Sequence, residues 1–148
     1  MAVLNQTSVT STAKLIDARG PRFSAVLTTL VLAAALVTQS AALIAIQLVV
    51  FAIGAFAGPA KTPYAFLFKK FVKPRLKGAV PTEDARPPQF AQSVGLIFAV
   101  VALAGSLFSI PALFTVAVSF ALFAAFLNAA FNFCLGCEIY LLALRAVK

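Results

Sequence analysis

Two long stretches without any charged residue constrain the fold of this chain most strongly. They run from Phe23 to Ala60 and from Pro87 to Cys137. A helix needs about 20 apolar residues to cross the hydrocarbon layer of a membrane, so each stretch is too long for one crossing and long enough for two. The composition agrees, because 62% of the residues are hydrophobic and only 11% are charged, unlike the usual balance in water-soluble domains. The sequence therefore predicts an all-α membrane protein, with residues 1–148 as a single integral membrane domain.

Polar and helix-breaking residues divide each stretch into two helices. The polar segment 38–40 marks a turn in the first stretch, and Pro111, which suits the first turn of a helix, begins the second helix of the other stretch. The four predicted transmembrane spans lie at about 22–38, 41–58, 90–108 and 111–132. They form two helical hairpins, which are joined by a basic loop over residues 59–89.

Lysine and arginine are confined to three segments at or beyond the ends of these spans: the N-terminal segment, the loop 59–89 and the C-terminus. The short turns within the two hairpins contain none. Because basic residues near membrane spans are retained on the cytoplasmic side, the distribution predicts a multi-pass protein with both termini and the loop in the cytoplasm. A cleaved signal peptide is not expected, since a second apolar run follows the first after a short turn.

Within the loop, segment 63–73 carries aromatic and aliphatic residues at helical spacing. Lys69, Lys70 and Lys73 lie on its other face, and Arg75 follows. Short amphipathic helices of this kind lie at the lipid headgroups, with their cations near anionic lipid. We therefore predict that these four basic residues bind the surface of the lipid bilayer; packing of the segment beneath the helical bundle is the alternative. The bilayer accounts for this pattern, so no nucleic-acid partner is predicted.

The chain contains two cysteines, Cys134 and Cys137, in a Cys-x-x-Cys motif followed by Glu138. This spacing brings the sulfur atoms within disulfide reach at the start of a helix, where the helix dipole lowers the pKa of a thiol. We predict a redox-active pair, with Glu138 placed to transfer a proton. The pair begins a C-terminal interfacial helix of about residues 135–148, which Asn132 caps. The alternative is that both cysteines are small apolar residues of the bundle.

The sequence predicts neither a metal site nor a cofactor. Histidine is absent, which removes the commonest metal ligand and general base. A structural zinc site needs four ligands, whereas this chain offers two cysteines.

Two amides, Asn128 and Asn132, lie about one helical turn apart on the same face of the fourth predicted span. Amide side chains are costly inside a membrane unless they find hydrogen-bond partners. We expect them to join helices, with Gln47 or Gln92 as partners, and a pocket for a quinone or another ligand is the alternative interpretation.

Four motifs of the sequence resemble those of a known family. They are RGPRF at 19–23, KPRL at 73–76, EDARPPQFAQ at 83–92 and CLGCEIY at 134–140. These motifs are similar to those of small bacterial membrane proteins grouped as the domain-of-unknown-function family 4395. The resemblance implies a four-helix integral protein of the bacterial cytoplasmic membrane. It also implies a thioredoxin-like or rhodanese-like sulfurtransferase protein as a partner.

The sequence is compatible with two functions of different classes. In the first, the protein exchanges electrons or sulfane sulfur with a cytoplasmic thiol partner, with Cys134 attacking and Cys137 resolving the mixed disulfide. In the second, it is a noncatalytic accessory or scaffold subunit of a membrane protein complex, and its helix faces are docking surfaces. Trapping of a mixed disulfide distinguishes the two.

Overall fold

Helices dominate the computed structural model, which describes residues 15–75 and 82–147. The main elements are β1 (Leu15–Asp17), α1 (Arg19–Thr38), α2 (Ala41–Phe56), α3 (Pro63–Leu67), β2 (Thr82–Asp84), α4 (Arg86–Leu107), α5 (Pro111–Phe131) and α6 (Leu135–Val147). A π-helical turn at Phe68–Val72 extends α3, between two short 3-10 turns at Pro59–Lys61 and Lys73–Arg75. Three predicted parts lie outside the described residues: the N-terminal segment at 1–14, part of the loop at 76–81, and the last residue of the C-terminal helix, 148.

Three of these helices, α1, α4 and α5, are long and apolar enough to cross a membrane. The fourth long helix, α2, is equally apolar but has only 16 residues. At 1.5 Å per residue it extends about 24 Å, which is less than the hydrocarbon thickness of about 30 Å. The prediction of an all-α protein is confirmed, and three helices qualify as candidate membrane spans.

The long helices begin and end at residues with a clear conformational role. The helix α4 begins at Arg86, before the predicted start at residue 90, because Pro87 and Pro88 occupy its first turn. Proline is tolerated there, since its missing N–H would have no partner within the helix. The helix α2 ends at Phe56, before the predicted end, and Gly58 follows in a conformation with φ of 112°.

Tight turns connect the paired helices. Gln39 adopts a left-handed conformation with φ of 55°, and the Ser40 hydroxyl then accepts the N–H of Leu43 to cap α2. Between α4 and α5, Ser109 is left-handed and Pro111 begins the next helix. The helices pack in a ring in the order α1, α2, α4 and α5, with α5 closing the ring against α1.

The core of the bundle combines large and very small side chains. Leu32, Ile44 and Phe114 are buried among small residues that include Ala35 and Ala102. Small residues at helix contacts allow two backbones to approach closely, and the resulting van der Waals packing helps helices to associate in a membrane.

A buried hydrogen-bonded chain crosses three helices. The Tyr64 hydroxyl of α3 donates to Gln47 Oε1 over 2.7 Å, and Gln47 Nε2 donates to the Thr28 hydroxyl over 3.5 Å. Gln47 is fully buried. These hydrogen bonds therefore satisfy an amide whose burial without partners would cost free energy. Burial also raises the pKa of Tyr64, which keeps its hydroxyl in the donating form. Gln47 therefore bonds to Tyr64 and Thr28, and not to the two asparagines that were its predicted partners.

The structure also contains a small antiparallel sheet that the sequence analysis did not predict. In this sheet β1 pairs with β2, and Leu15 lies opposite Asp84. Each strand leads into a long helix through the same tripeptide, Asp-Ala-Arg, at 17–19 and 84–86. In both, the aspartate accepts the backbone N–H and the guanidinium of the arginine two residues later. The chain thus consists of two halves with the order strand, long helix, tight turn and second helix.

Acid is expected to weaken this paired-strand region. Hydrogen bonding to Arg19 lowers the pKa of Asp17. Burial opposes ionisation of Asp84, but the hydrogen bonds and charge of Arg86 outweigh it and lower the pKa of Asp84 as well. Because both folded-state pKa values lie below the ordinary value of 3.8, the stabilisation is complete above that pH and is lost as the pH falls below it.

We therefore expect the unfolding temperature in detergent to be nearly constant near neutral pH and to fall below pH 3.8. The Asp84→Asn variant should lose about 1 to 3 kcal/mol at neutral pH, since it removes a charge-assisted hydrogen bond. Its acid-induced decrease should be smaller than that of the wild type. Circular dichroism at several pH values measures both quantities, and an unchanged acid profile in the variant would contradict the role of Asp84.

Candidate redox site

The end of α5 sets the position of the Cys-x-x-Cys motif. Asn132 is left-handed, with φ of 54°, and its N–H donates to the Asn128 carbonyl. The N–H of Phe133 donates to the Leu127 carbonyl, which completes a helix C-terminus of a common type. The prediction that Asn132 caps α6 is therefore wrong. Asparagine tolerates the left-handed conformation, so Asn132 ends α5 instead.

Cys134 itself caps α6. Its carbonyl oxygen accepts the N–H of Glu138 over 3.0 Å, and its sulfur accepts the N–H of Cys137 over 3.2 Å. The two cysteines form a disulfide, with their Cα atoms 5.1 Å apart. In the reduced protein the same N–H group and the helix dipole would stabilise a thiolate on Cys134. The local fold therefore favours Cys134 over Cys137 as the nucleophile of the pair.

Close packing against α4 holds α6 in place. A Cβ atom added at Gly136 would lie 2.6 Å from Ala91 Cβ and 2.7 Å from Ala91 Cα. The rings of Tyr140 and Phe90 are in contact, with their centroids 5.4 Å apart. At this separation of α4 and α6, position 136 has room only for glycine. Contact between the two helices therefore positions the motif, in addition to the disulfide.

Glu138 lies in the first turn of α6, directly after the cysteine pair. Ion pairs in the described part of the chain join Asp17 to Arg19 and Lys73, and Asp84 to Arg86. Glu138 takes part in none of these pairs, so its carboxylate has no ion-pair partner among the described residues. Within residues 15–75 and 82–147, no group of three or more Cys, Asp or Glu side chains could hold a metal ion.

A cavity of about 620 Å³ extends from the disulfide into the bundle. It lies between α1, α4, α5 and α6, with Phe51 of α2 also in its wall, and both Asn128 and Asn132 line it together with the cysteines. Arg22 of α1 also borders the cavity, and its Nε donates to the Ala129 carbonyl over 3.2 Å. The structure thus places the two asparagines and Glu138 in the wall of the same cavity as the cysteine pair. Arg22 was not among the predicted site residues, although its charge at the start of a predicted span was a usable signal.

The family model described as "Domain of unknown function (DUF4395)" matches residues 16–145, which include the cysteine motif and all the long helices. The chain belongs to this family. The family resemblance inferred from the sequence motifs is thereby confirmed. Among curated proteins and among solved structures, no significant match to the chain was found.

The basic segment of this DUF4395 protein lies apart from the cysteines. Its Phe68 is buried against Phe23 of α1, with ring centroids 5.7 Å apart, whereas Phe66 and Phe71 are exposed. The ammonium group of Lys70 lies 5.7 Å from the ring centroids of both exposed residues. One side of the segment therefore packs beneath the bundle, as one interpretation predicted, while the other presents aromatic and basic groups together.

The remaining basic residues of this segment differ in their contacts. Lys69 Nζ donates to the Ala60 carbonyl over 3.2 Å, and Lys73 lies 3.6 Å from the Asp17 carboxylate. Lys69, Lys70 and Arg75 are exposed, and Lys73 is partly buried. Three of the four cations predicted to contact lipid therefore have exposed side chains, and the fourth is engaged by the paired-strand region.

Proposed function

We propose that this protein exchanges electrons or sulfane sulfur through Cys134 and Cys137 with a thioredoxin-like or rhodanese-like partner. The observation that carries the proposal is the disulfide at the start of α6, with the N–H of Cys137 directed at the sulfur of Cys134. Helix starts of this kind lower the pKa of the first thiol in Cys-x-x-Cys motifs. Cys134 is the attacking residue and Cys137 the resolving residue.

The exchange proceeds in two steps. The Cys134 thiolate attacks a disulfide of the partner, so that a mixed disulfide forms and one partner sulfur leaves as a thiolate. Cys137 then loses its proton, with Glu138 as the proton acceptor, and attacks the sulfur of Cys134. The disulfide of Cys134 and Cys137 forms, and the second partner thiolate is released. In this direction the partner gains two electrons and this protein loses two. The exchange is reversible, so a reduced partner whose thiolate attacks Cys134 of the disulfide returns two electrons to this protein.

We further propose that the protein spans the bacterial cytoplasmic membrane four times, as two hairpins, with the motif on the cytoplasmic side. Apolar side chains that face outward support membrane insertion, since Val37, Phe56, Leu107 and Phe108 are all more than two-thirds exposed. The confinement of lysine and arginine to the N-terminal segment, the loop 59–89 and the C-terminus supports the orientation. Labelling of the reduced cysteines by a membrane-impermeant reagent in intact cells would contradict it.

Contact of the basic segment with anionic lipid forms part of the same proposal. Exposed Phe66 and Phe71 flank Lys70, and such pairs of rings and cations suit the headgroup region of a bilayer. A variant with Lys69→Gln and Lys70→Gln should retain less anionic lipid after purification than the wild type. Equal retention would contradict this contact.

Reduction by thioredoxin tests the proposed exchange. We expect reduced thioredoxin to open the disulfide of the purified protein, so that alkylation after quenching adds one label to Cys134 and one to Cys137. Mass spectrometry measures both labels. The double variant Cys134→Ser, Cys137→Ser is the matched control and should leave thioredoxin reduced.

A wild type that stays unlabelled while remaining folded would contradict the exchange. If the double serine variant also supported normal growth of cells that need this protein, the role of a noncatalytic subunit in a membrane complex would be favoured instead.

A further inference from the structure

The cavity beside the disulfide has an apolar interior. Phe51, Phe98 and Phe120 line it, and the rings of Phe98 and Phe120 lie in contact with centroids 6.1 Å apart. Its volume of about 620 Å³ lies within the usual range for small-molecule sites. Three of the helices around it, α1, α4 and α5, are the candidate membrane spans. A ligand that fills it would thus be lipid-soluble and rich in carbon.

Unpaired amides add a polar requirement. Gln92 lines the cavity, and its Oε1 is buried without a hydrogen-bond partner among the described residues. Gln92 cannot move towards α2, because its amide already lies against Gly54. The Asn128 side chain, which lines the same cavity, makes no hydrogen bond with the described part of the chain. Gln92 and the partly exposed Asn128 therefore offer amide groups to a ligand whose oxygen atoms accept or donate hydrogen bonds.

The disulfide in the cavity wall makes the ligand's chemistry more specific. A dithiol gives up two electrons and two protons when it becomes a disulfide. A lipid-soluble quinone accepts the same two electrons and two protons. Its carbonyl oxygens can accept from amide N–H groups, and the hydroxyls of the quinol can donate to an amide oxygen. Its flat ring can also stack on the phenylalanine rings.

We propose that this cavity binds a lipid-soluble quinone, and that the reduced cysteine pair passes its electrons to it. This inference rests on the proposed thiol–disulfide exchange at the same pair. In the step, the two S–H bonds of Cys134 and Cys137 break and one S–S bond forms. Two electrons and two protons pass to the quinone, whose two carbonyl groups become hydroxyl groups. The thioredoxin-like partner supplies electrons at the cytoplasmic side, and the quinone removes them into the membrane.

Photolabelling in lipid nanodiscs tests binding directly. The probe is an azido-benzoquinone with a short isoprenoid chain, which should label peptides of α4 and α5 and be displaced by the same quinone without the azide. Ala124→Leu adds bulk to the cavity wall and should reduce labelling at least tenfold. Ala112→Leu makes the same change at an exposed position of the same helix and should leave it unchanged. Gln92→Leu, which removes the amide, should also weaken labelling.

Labelling that persists in Ala124→Leu, or that excess quinone does not displace, would overturn the site. Recovery of a phospholipid in place of quinone from the purified protein would overturn it as well. A second measurement addresses electron transfer: the protein, reduced in advance, should form one quinol per cysteine pair. A wild type that exchanges with thioredoxin but forms no quinol overturns this inference and leaves the exchange intact. Labelling that is normal in a protein without thioredoxin exchange overturns the exchange while supporting the binding site.

Discussion

Replacing Cys137 by Ser is expected to trap this protein as a mixed disulfide with the proposed thioredoxin-like or rhodanese-like partner. In the wild type the resolving thiol is held one helical turn from Cys134, and an oriented neighbour of this kind reacts far faster than a thiol from solution. The serine hydroxyl cannot displace the partner from Cys134. We therefore expect the mixed disulfide to be on the order of tenfold or more as abundant as in the wild type. Non-reducing gels of acid-quenched cells, followed by mass spectrometry of the added band, would measure it.

The matched control is Cys134→Ser. The capping N–H of Cys137 is directed at the sulfur of Cys134, so the variant that retains only Cys137 has a thiol without this stabilisation and should trap much less partner. Equal trapping by both variants would contradict the assignment of Cys134 as the nucleophile. The absence of any reducible band from the Cys137→Ser variant, at normal abundance, would contradict exchange with a protein partner.

Replacing Gly136 by Ala is expected to displace α6 from α4. The new Cβ would lie 2.6 Å from Ala91 Cβ and 2.7 Å from Ala91 Cα, and a backbone atom cannot yield as the end of a flexible side chain can. Forced contacts of this kind cost about 1 to 3 kcal/mol, which exceeds the gain of up to about 1 kcal/mol from replacing glycine within a helix. Hydrogen exchange of α6 and the unfolding temperature should both report the loss.

A second glycine offers a control in which the same substitution should not lower stability. At Gly20, in the first turn of α1, an added Cβ would meet the Phe68 ring at 3.8 Å, an ordinary contact. Gly20→Ala should therefore be neutral or stabilising. In the Gly136→Ala background, Ala91→Gly removes one of the two close contacts and should restore part of the loss. If Gly136→Ala were as stable as Gly20→Ala, close backbone contact would not be what positions the motif.

Hydrophobic patterning was sufficient to predict the long helices and their order. Charge-free stretches of this length have few alternatives, and the polar residues near Gln39 and Ser109 lie where the chain turns. The start of α4 could not be predicted from Pro87 and Pro88, because proline is compatible both with a connector and with the first turn of a helix. The paired strands were also missed, since segments of three residues have too little pattern to distinguish them from a loop.

The cysteine spacing was sufficient to predict the disulfide reach of Cys134 and Cys137. The surroundings of the pair were harder to predict, because they depend on where α6 lies against α4. That placement comes from the contact between Gly136 and Ala91, which joins residues distant in the sequence. Asn128 and Asn132 were predicted as polar groups within the bundle, but the cavity that they line exists only once five helices have packed around it.

The two matching halves of the chain have a consequence for how its chemistry could have arisen. The sixth residue after each Asp-Ala-Arg aspartate is a phenylalanine, Phe23 or Phe90, and each packs against the aromatic ring of a short helical segment. In the first half that ring is Phe68 of the basic segment, and in the second it is Tyr140 of α6. Duplication of an ancestral unit would supply one scaffold twice and leave the two copies free to diverge, one towards an exposed basic segment and the other towards a cysteine pair.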